Sequence, residues 1–180
     1  MTNPELLKIL EKNPGKKTVL QLASTAATIP EMTKQLIDLT LLSEKEIAFR
    51  AAWILEYHLV SFPDRMLVNL QPFIQAYLLQ TNLSCKRHYT KILMHYSHNG
   101  RSNILEGYNL TQIIETTFEW LINPATPVAV QVNCMDILYN LRAHANWVDE
   151  ELRAQIAFLL KNGSAAMQSR GKKLIKRLSK

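Results

Sequence analysis

Apolar residues recur along the chain at three- and four-residue steps, not at every second position. The fullest example runs from Ser43 to Val60, where Ile47, Ala51, Ile54, Leu55 and His58 or Leu59 fall on one helical face. Ser43 and Glu46 have the spacing of a capping box. Later segments repeat the design. Ile54-Leu55 is echoed by Ile92-Leu93, Ile137-Leu138 and Leu174-Ile175, at steps of 38, 45 and 37 residues. Helix pairs recurring at such intervals mark a repeat array, in which one pair cannot bury its apolar faces alone and so stacks on the next. An irregular helical bundle is the alternative.

The breaks between apolar runs predict ten helices over residues 4–12, 18–28, 31–42, 43–60, 64–80, 84–98, 110–122, 126–143, 146–160 and 165–178. Asn13-Pro14-Gly15, Pro30, Phe62-Pro63 and Asn123-Pro124 interrupt the pattern, and Asn162-Gly163-Ser164 reads as a stop followed by a start. Thr126 and Pro127 suit a cap and first helical position, and Asn146 with Asp149 suits another cap. Pro72 lies inside 64–80 and predicts a kink, or a break near Leu70. Residues 99–109 form the longest loop. No segment alternates with period two, so no strand is expected. The fold class is all-α: a right-handed α-α superhelix of about five antiparallel helix pairs, one domain over 1–180, closed by a basic capping helix at 165–178.

Charge changes this picture only at one end. The 180 residues carry a formal charge of +6, yet no acid follows Glu151 and seven bases lie from Lys161 onward, so residues 1–160 sum to −1. No run is long and apolar enough to span a membrane. The amino terminus lacks a basic stretch followed by an apolar core, so a cytoplasmic protein is expected. Cys85 and Cys134 lie far apart inside predicted helices and read as buried free thiols. Asn82, Asn109 and Asn162 sit in glycosylation-type triplets but read as helix-start and loop residues.

The chain resembles HEAT-type and armadillo-type repeat proteins over about residues 16–178. Phe49-Arg50-Ala51-Ala52-Trp53 and Thr126-Pro127-Val128-Ala129-Val130 look like segments of short bacterial HEAT-like proteins that have no assigned role. The resemblance implies that each second helix lines an inner, concave face. Some such chains carry the label adenylosuccinate lyase, but the signature loop of that enzyme is absent here. A second likeness, to HEAT-like bacterial alkylpurine DNA glycosylases that grip duplex DNA on a basic concave surface, is one of fold alone. No catalytic motif of theirs matches this chain, and fold does not fix function.

Three clusters are candidates for binding. Arg50, Trp53 and Tyr57 fall at i, i+3, i+7, and Arg87, Lys91 and His95 lie on the next second helix. Aromatic and arginine clusters make interface hot spots, so these six residues form the expected partner surface. The bland reading puts Trp53 in the core and pairs Arg50 with a nearby acid. Arg170, Lys172, Lys173, Lys176, Arg177 and Lys180 flank an apolar line on the last helix. They could meet phosphates or an acidic partner, or simply keep the end of the array solvated. His88, His95 and His98 share a helix but lack a carboxylate or cysteine at ligand spacing, so no metal is assigned. Glu115 and Glu119 read as a solvated pair. No nucleophile–base arrangement and no glycine-rich phosphate loop is present. The reading is a non-enzymatic scaffold without cofactor that binds a protein partner on its concave face. The alternative is a nucleic-acid binder led by the last helix, with a glycosylase-like repair protein as its extreme.

Overall fold

The computed structural model describes residues 3–98, 102–105 and 107–179. Among these there are ten α-helices and no strand. In chain order they are α1 (Asn3–Glu11), α2 (Lys16–Thr28), α3 (Pro30–Leu39), α4 (Lys45–Ser61), α5 (Pro63–Leu79), α6 (Leu83–Ser97), α7 (Thr111–Ile122), α8 (Val128–Leu141), α9 (Val148–Leu160) and α10 (Ala165–Leu178). Short 3-10 turns cover Ser102–Leu105 and Arg142–His144. All ten expected helices are present. Part of the expected 99–109 loop, including Asn99 and Gly100, lies outside the described residues, as does Lys180.

Several local expectations are corrected. The capping box does not form, because α4 starts two residues late. Glu44 takes the cap position without a side-chain hydrogen bond, and the Ser43 hydroxyl instead meets the Glu44 carboxylate at 3.0 Å. The three- and four-residue spacing puts Leu42, Leu67 and Val128 inside, but they are 38 %, 54 % and 40 % exposed; α3 ends before the first, the second falls on the outer side of α5, and the third is the first residue of α8. Thr126 and Asn146 do not cap, since Pro127 and Trp147 precede the helices there. Helix α5 runs unbroken through Pro72. The carbonyl that proline leaves without a donor is that of Val68, a residue 73 % exposed, so water can satisfy it.

Other local expectations hold. Pro30 and Pro63 begin α3 and α5, where a missing N–H costs nothing. The Ser164 hydroxyl accepts from the Met167 N–H and opens α10. Asn82 Oδ1 accepts the Ser84 N–H at 3.0 Å, and Asn109 Oδ1 accepts the Thr111 N–H at 3.0 Å. Both asparagines are therefore helix-start residues. Cys85 and Cys134 are buried free thiols, and burial pushes the Cys85 thiol up to about 12.

The chain forms two compact units, Met1–Ile92 and Leu93–Lys180. In the first, α4 is the hub and packs on α1, α2, α3 and α5, while α3 also packs on α5. So many neighbours require small residues, and Ala48, Ala51 and Ala52 are fully buried beside Ile54, Leu55 and Leu59. Several buried polar groups in this core are paired. The His58 Nδ1–H donates to the Ala23 carbonyl at 2.9 Å, so Nε2 must accept the Thr33 hydroxyl at 2.8 Å. Burial holds the His58 pKa below the ordinary histidine range. Thr40 Oγ1 donates to the Ile37 carbonyl and receives the Tyr89 hydroxyl, each at 2.6 Å. In the second unit α8 is the hub and packs on α7, α9 and α10, while α9 also packs on α10. Gly171 lets α10 come close to α9: a Cβ there would lie 3.0 Å from Leu160 and 3.1 Å from Ile156. Within each unit even-numbered helices stack on even-numbered ones, which is the two-layer packing of helix-pair repeats.

Candidate functional site

The arginines fall into two groups. Four close helix ends, whose last carbonyls lack intrahelical donors. Arg50 donates to the Leu10 carbonyl of α1 at 2.8 Å, Arg65 to the Ala27 carbonyl of α2, Arg142 to the Tyr139 carbonyl of α8 at 2.6 Å, and Arg153 to the Leu178 carbonyl of α10. The other described arginines, Arg87, Arg170 and Arg177, line two clefts. Each cleft is built over one carboxylate, half-buried Glu56 in one and buried Asp136 in the other.

The first cleft lies in the first unit between α4 and α6 and encloses about 250 Å³. Its floor is Glu56. The His88 Nδ1–H donates to Glu56 Oε2 at 2.5 Å, and the Lys91 ammonium donates to Oε1 at 2.9 Å. Burial acts to raise the Glu56 pKa, but the two hydrogen bonds and the charges behind them outweigh it, so the carboxyl lies below the usual range. Phe49 stacks at 6.2 Å on Trp53 and sits 5.3 Å from the His88 ring. Trp53 and Tyr57 are half-buried, with part of each ring open to solvent. Arg87 is exposed and has no hydrogen bond or carboxylate contact among the described residues. His88 Nε2 is buried without a hydrogen-bond partner.

The second cleft lies in the second unit, where the end of α6 meets α8 and α10, and encloses about 370 Å³. Its floor is Asp136. Arg170 Nε is 3.1 Å from Asp136 Oδ2, but that oxygen receives no hydrogen bond of good geometry. Burial raises the Asp136 pKa, and the charges of Arg170, Arg177 and His98 offset it only in part. His95, His98 and Asn140 complete the wall.

The structure thus brings together four of the six residues expected on the partner surface: Trp53, Tyr57, Arg87 and Lys91. Two are placed otherwise. Arg50 is turned onto the carboxy-terminal end of α1, 3.7 Å from Glu46, because the open carbonyls of α1 compete for its guanidinium. His95 lies in the second unit and lines the second cleft. The basic helix also divides. Arg170 and Arg177, seven residues apart, share the face turned to α8, whereas Lys172, Lys173 and Lys176 are exposed and carry no carboxylate contact among the described residues. The three histidines of α6 do not converge, since His88 is held by Glu56. Among the described residues no group of three histidine, cysteine, aspartate or glutamate side chains could hold a metal ion.

Sequence reasoning missed both floor acids. The signal was a lone acid in an uncharged context: Asp136 is the only charged residue from Val128 to Leu141, and Glu56 stands ten residues from the nearest other acid on its helix. Such isolation asks for a basic partner from another element.

Paired helices in two layers define a helical-repeat protein. The model of the HEAT repeat domain matches residues 6–178, and the chain belongs to that family. HEAT repeats generally mediate protein–protein interaction. No curated protein and no solved structure matches the chain at a significant level. No helix among the described residues is long and apolar enough to cross a membrane.

Proposed function

We propose that the protein is a non-enzymatic, cytoplasmic interaction module whose α4–α6 cleft receives an acidic segment of a protein partner. The observation that carries this reading is Arg87. It stands exposed beside Trp53 and Tyr57, over a cleft whose own acid is already neutralised by His88 and Lys91. A partner carboxylate would meet a free guanidinium with five fixed donors, and the aromatic rings would supply buried area at low entropic cost. The family match over 6–178 supports treating both units as one HEAT-type domain. The test is affinity capture with the wild-type chain and with Trp53→Ala and Arg87→Glu. A partner of this cleft is held at moderate salt and lost in both variants, each weakening binding about thirtyfold, the scale of a hot spot. A partner held equally by all three chains would remove the cleft from the interaction.

A second reading rests on Lys172, Lys173 and Lys176, which point outward together without a carboxylate contact among the described residues. It makes α10 a binder of nucleic-acid phosphates, with Arg170 and Arg177 held back in the second cleft. Labelled duplex DNA should then bind at low salt and weaken by about an order of magnitude or more between roughly 50 and 200 mM salt. Neutralising the three lysines should flatten that slope. No binding at low salt would remove this reading.

A further inference from the structure

We infer that the second cleft, between the end of α6, α8 and α10, is a binding site for an oxyanion, a phosphate or carboxylate group presented by a small ligand. Three helices bring nitrogen-bearing side chains to one concavity: His95 and His98 from the last turn of α6 and the residue beyond it, Asn140 from α8, whose amide also donates to Ser97 Oγ at 3.2 Å, and Arg170 and Arg177 from one face of α10. Among the described residues the only acid lining it is Asp136, and the Arg170 contact balances that charge. Arg177 is then left over. It is exposed, it has no hydrogen bond or carboxylate contact among the described residues, and its guanidinium lies 5.9 Å from the Tyr139 ring centroid. The other arginines of this unit with described partners, Arg142 and Arg153, are committed to helix carbonyls. Arg177 therefore differs from them in having no structural task of that kind.

Asp136 acts as a positioning residue. It meets Arg170 through Nε, so the terminal nitrogens of that guanidinium remain available for a ligand. No acidic residue follows Glu151, so α10 brings no competing carboxylate. A cleft with two guanidiniums over a single described carboxylate suits an anion of low charge better than a cation or an apolar guest.

The experiment is an NMR titration of the full-length protein at constant ionic strength, with inorganic phosphate in one arm and acetate in the other. The expected result is that the Arg177 side-chain and His98 ring signals move along a saturable curve, with a midpoint on the order of millimolar. Saturation by phosphate assigns a phosphate group, and saturation by acetate a carboxylate. Arg177→Gln should weaken the response about tenfold or more, whereas Lys161→Gln, which removes one charge elsewhere in the same unit, should leave it unchanged. Linear shifts in both arms would overturn the site. So would equal weakening by the two variants, which would mean diffuse charge. Arg177 is exposed, so its replacement does not threaten the fold.

Discussion

Glu56 is half-buried and Asp136 buried, each on a hub helix and each beneath basic side chains, yet their pKa values are shifted in opposite directions. Glu56 accepts two short hydrogen bonds, from His88 and Lys91, and its pKa falls. Asp136 has Arg170, Arg177 and His98 nearby but no well-formed hydrogen bond to its buried Oδ2 among the described residues, and its pKa rises. Burial acts upward on both. The difference is directional bonding, because a charge that is merely near recovers less of the lost hydration than a donor aimed at the oxygen. The first acid is a finished structural element under an aromatic cleft. The second meets Arg170 through Nε alone, with Arg177 beside it, and this is what makes its cleft suited to an anion.

The comparison is most exposed to substitution at Glu56. Glu56→Gln should destabilise the first unit by about 2 kcal/mol, since it weakens two charge-assisted hydrogen bonds. Urea unfolding would read this, and an effect near zero would show the bonds are not formed in solution. Gly171→Ala comes next. Its methyl meets Leu160 and Ile156 at 3.0 and 3.1 Å, so the overpacking cost of about 1–3 kcal/mol is partly offset by better helix propensity. A net loss of about 1 kcal/mol in thermal or urea unfolding is expected. Asp136→Asn should be the mildest, within about 0.5 kcal/mol at neutral pH, because the native state already disfavours that charge.

Acid unfolding sharpens the same contrast through its slopes. The folded pKa of Glu56 lies below its unfolded value, so its contribution is complete above the unfolded value and is lost as pH falls through the folded one. The folded pKa of Asp136 lies above its unfolded value, so Asp136 costs stability at neutral pH and returns it as pH falls through that window. Glu56→Gln should therefore flatten the acid loss of stability, and Asp136→Asn should steepen it. His58 adds a separate limb. It is buried neutral with a lowered pKa, so stability falls as pH drops below the unfolded histidine value of about 6.5. Replacing His58 by Gln should flatten the curve there.

Much of the architecture was readable from residue spacing. All ten helices and nearly all of their inward residues follow from three- and four-residue apolar steps, because a helix that buries one face must place its apolar residues on it. The errors were at the ends. Ser43, Thr126 and Asn146 had the right chemistry for caps, but the chain began each helix one or two residues later, where packing set the start. On the candidate surface Trp53, Tyr57, Arg87 and Lys91 were legible because they lie on two related helices at matching spacing. Glu56, the acid that organises them, was not.

The remaining decisions were made by contacts between distant parts of the chain. Arg50 and Arg87 are the same residue type on neighbouring second helices, and local spacing treats them alike. Arg50 meets the open end of α1, forty residues earlier in the chain, and becomes a cap. The Arg87 guanidinium meets no hydrogen-bond or carboxylate partner among the described residues. Glu56 and His88 lie 32 residues apart, and Asp136 and Arg170 are similarly remote. Local periodicity determines which residues face inward, because that depends on the helix alone. Which charged side chain finds a partner depends on what the neighbouring helix presents, and only the packed structure decides it.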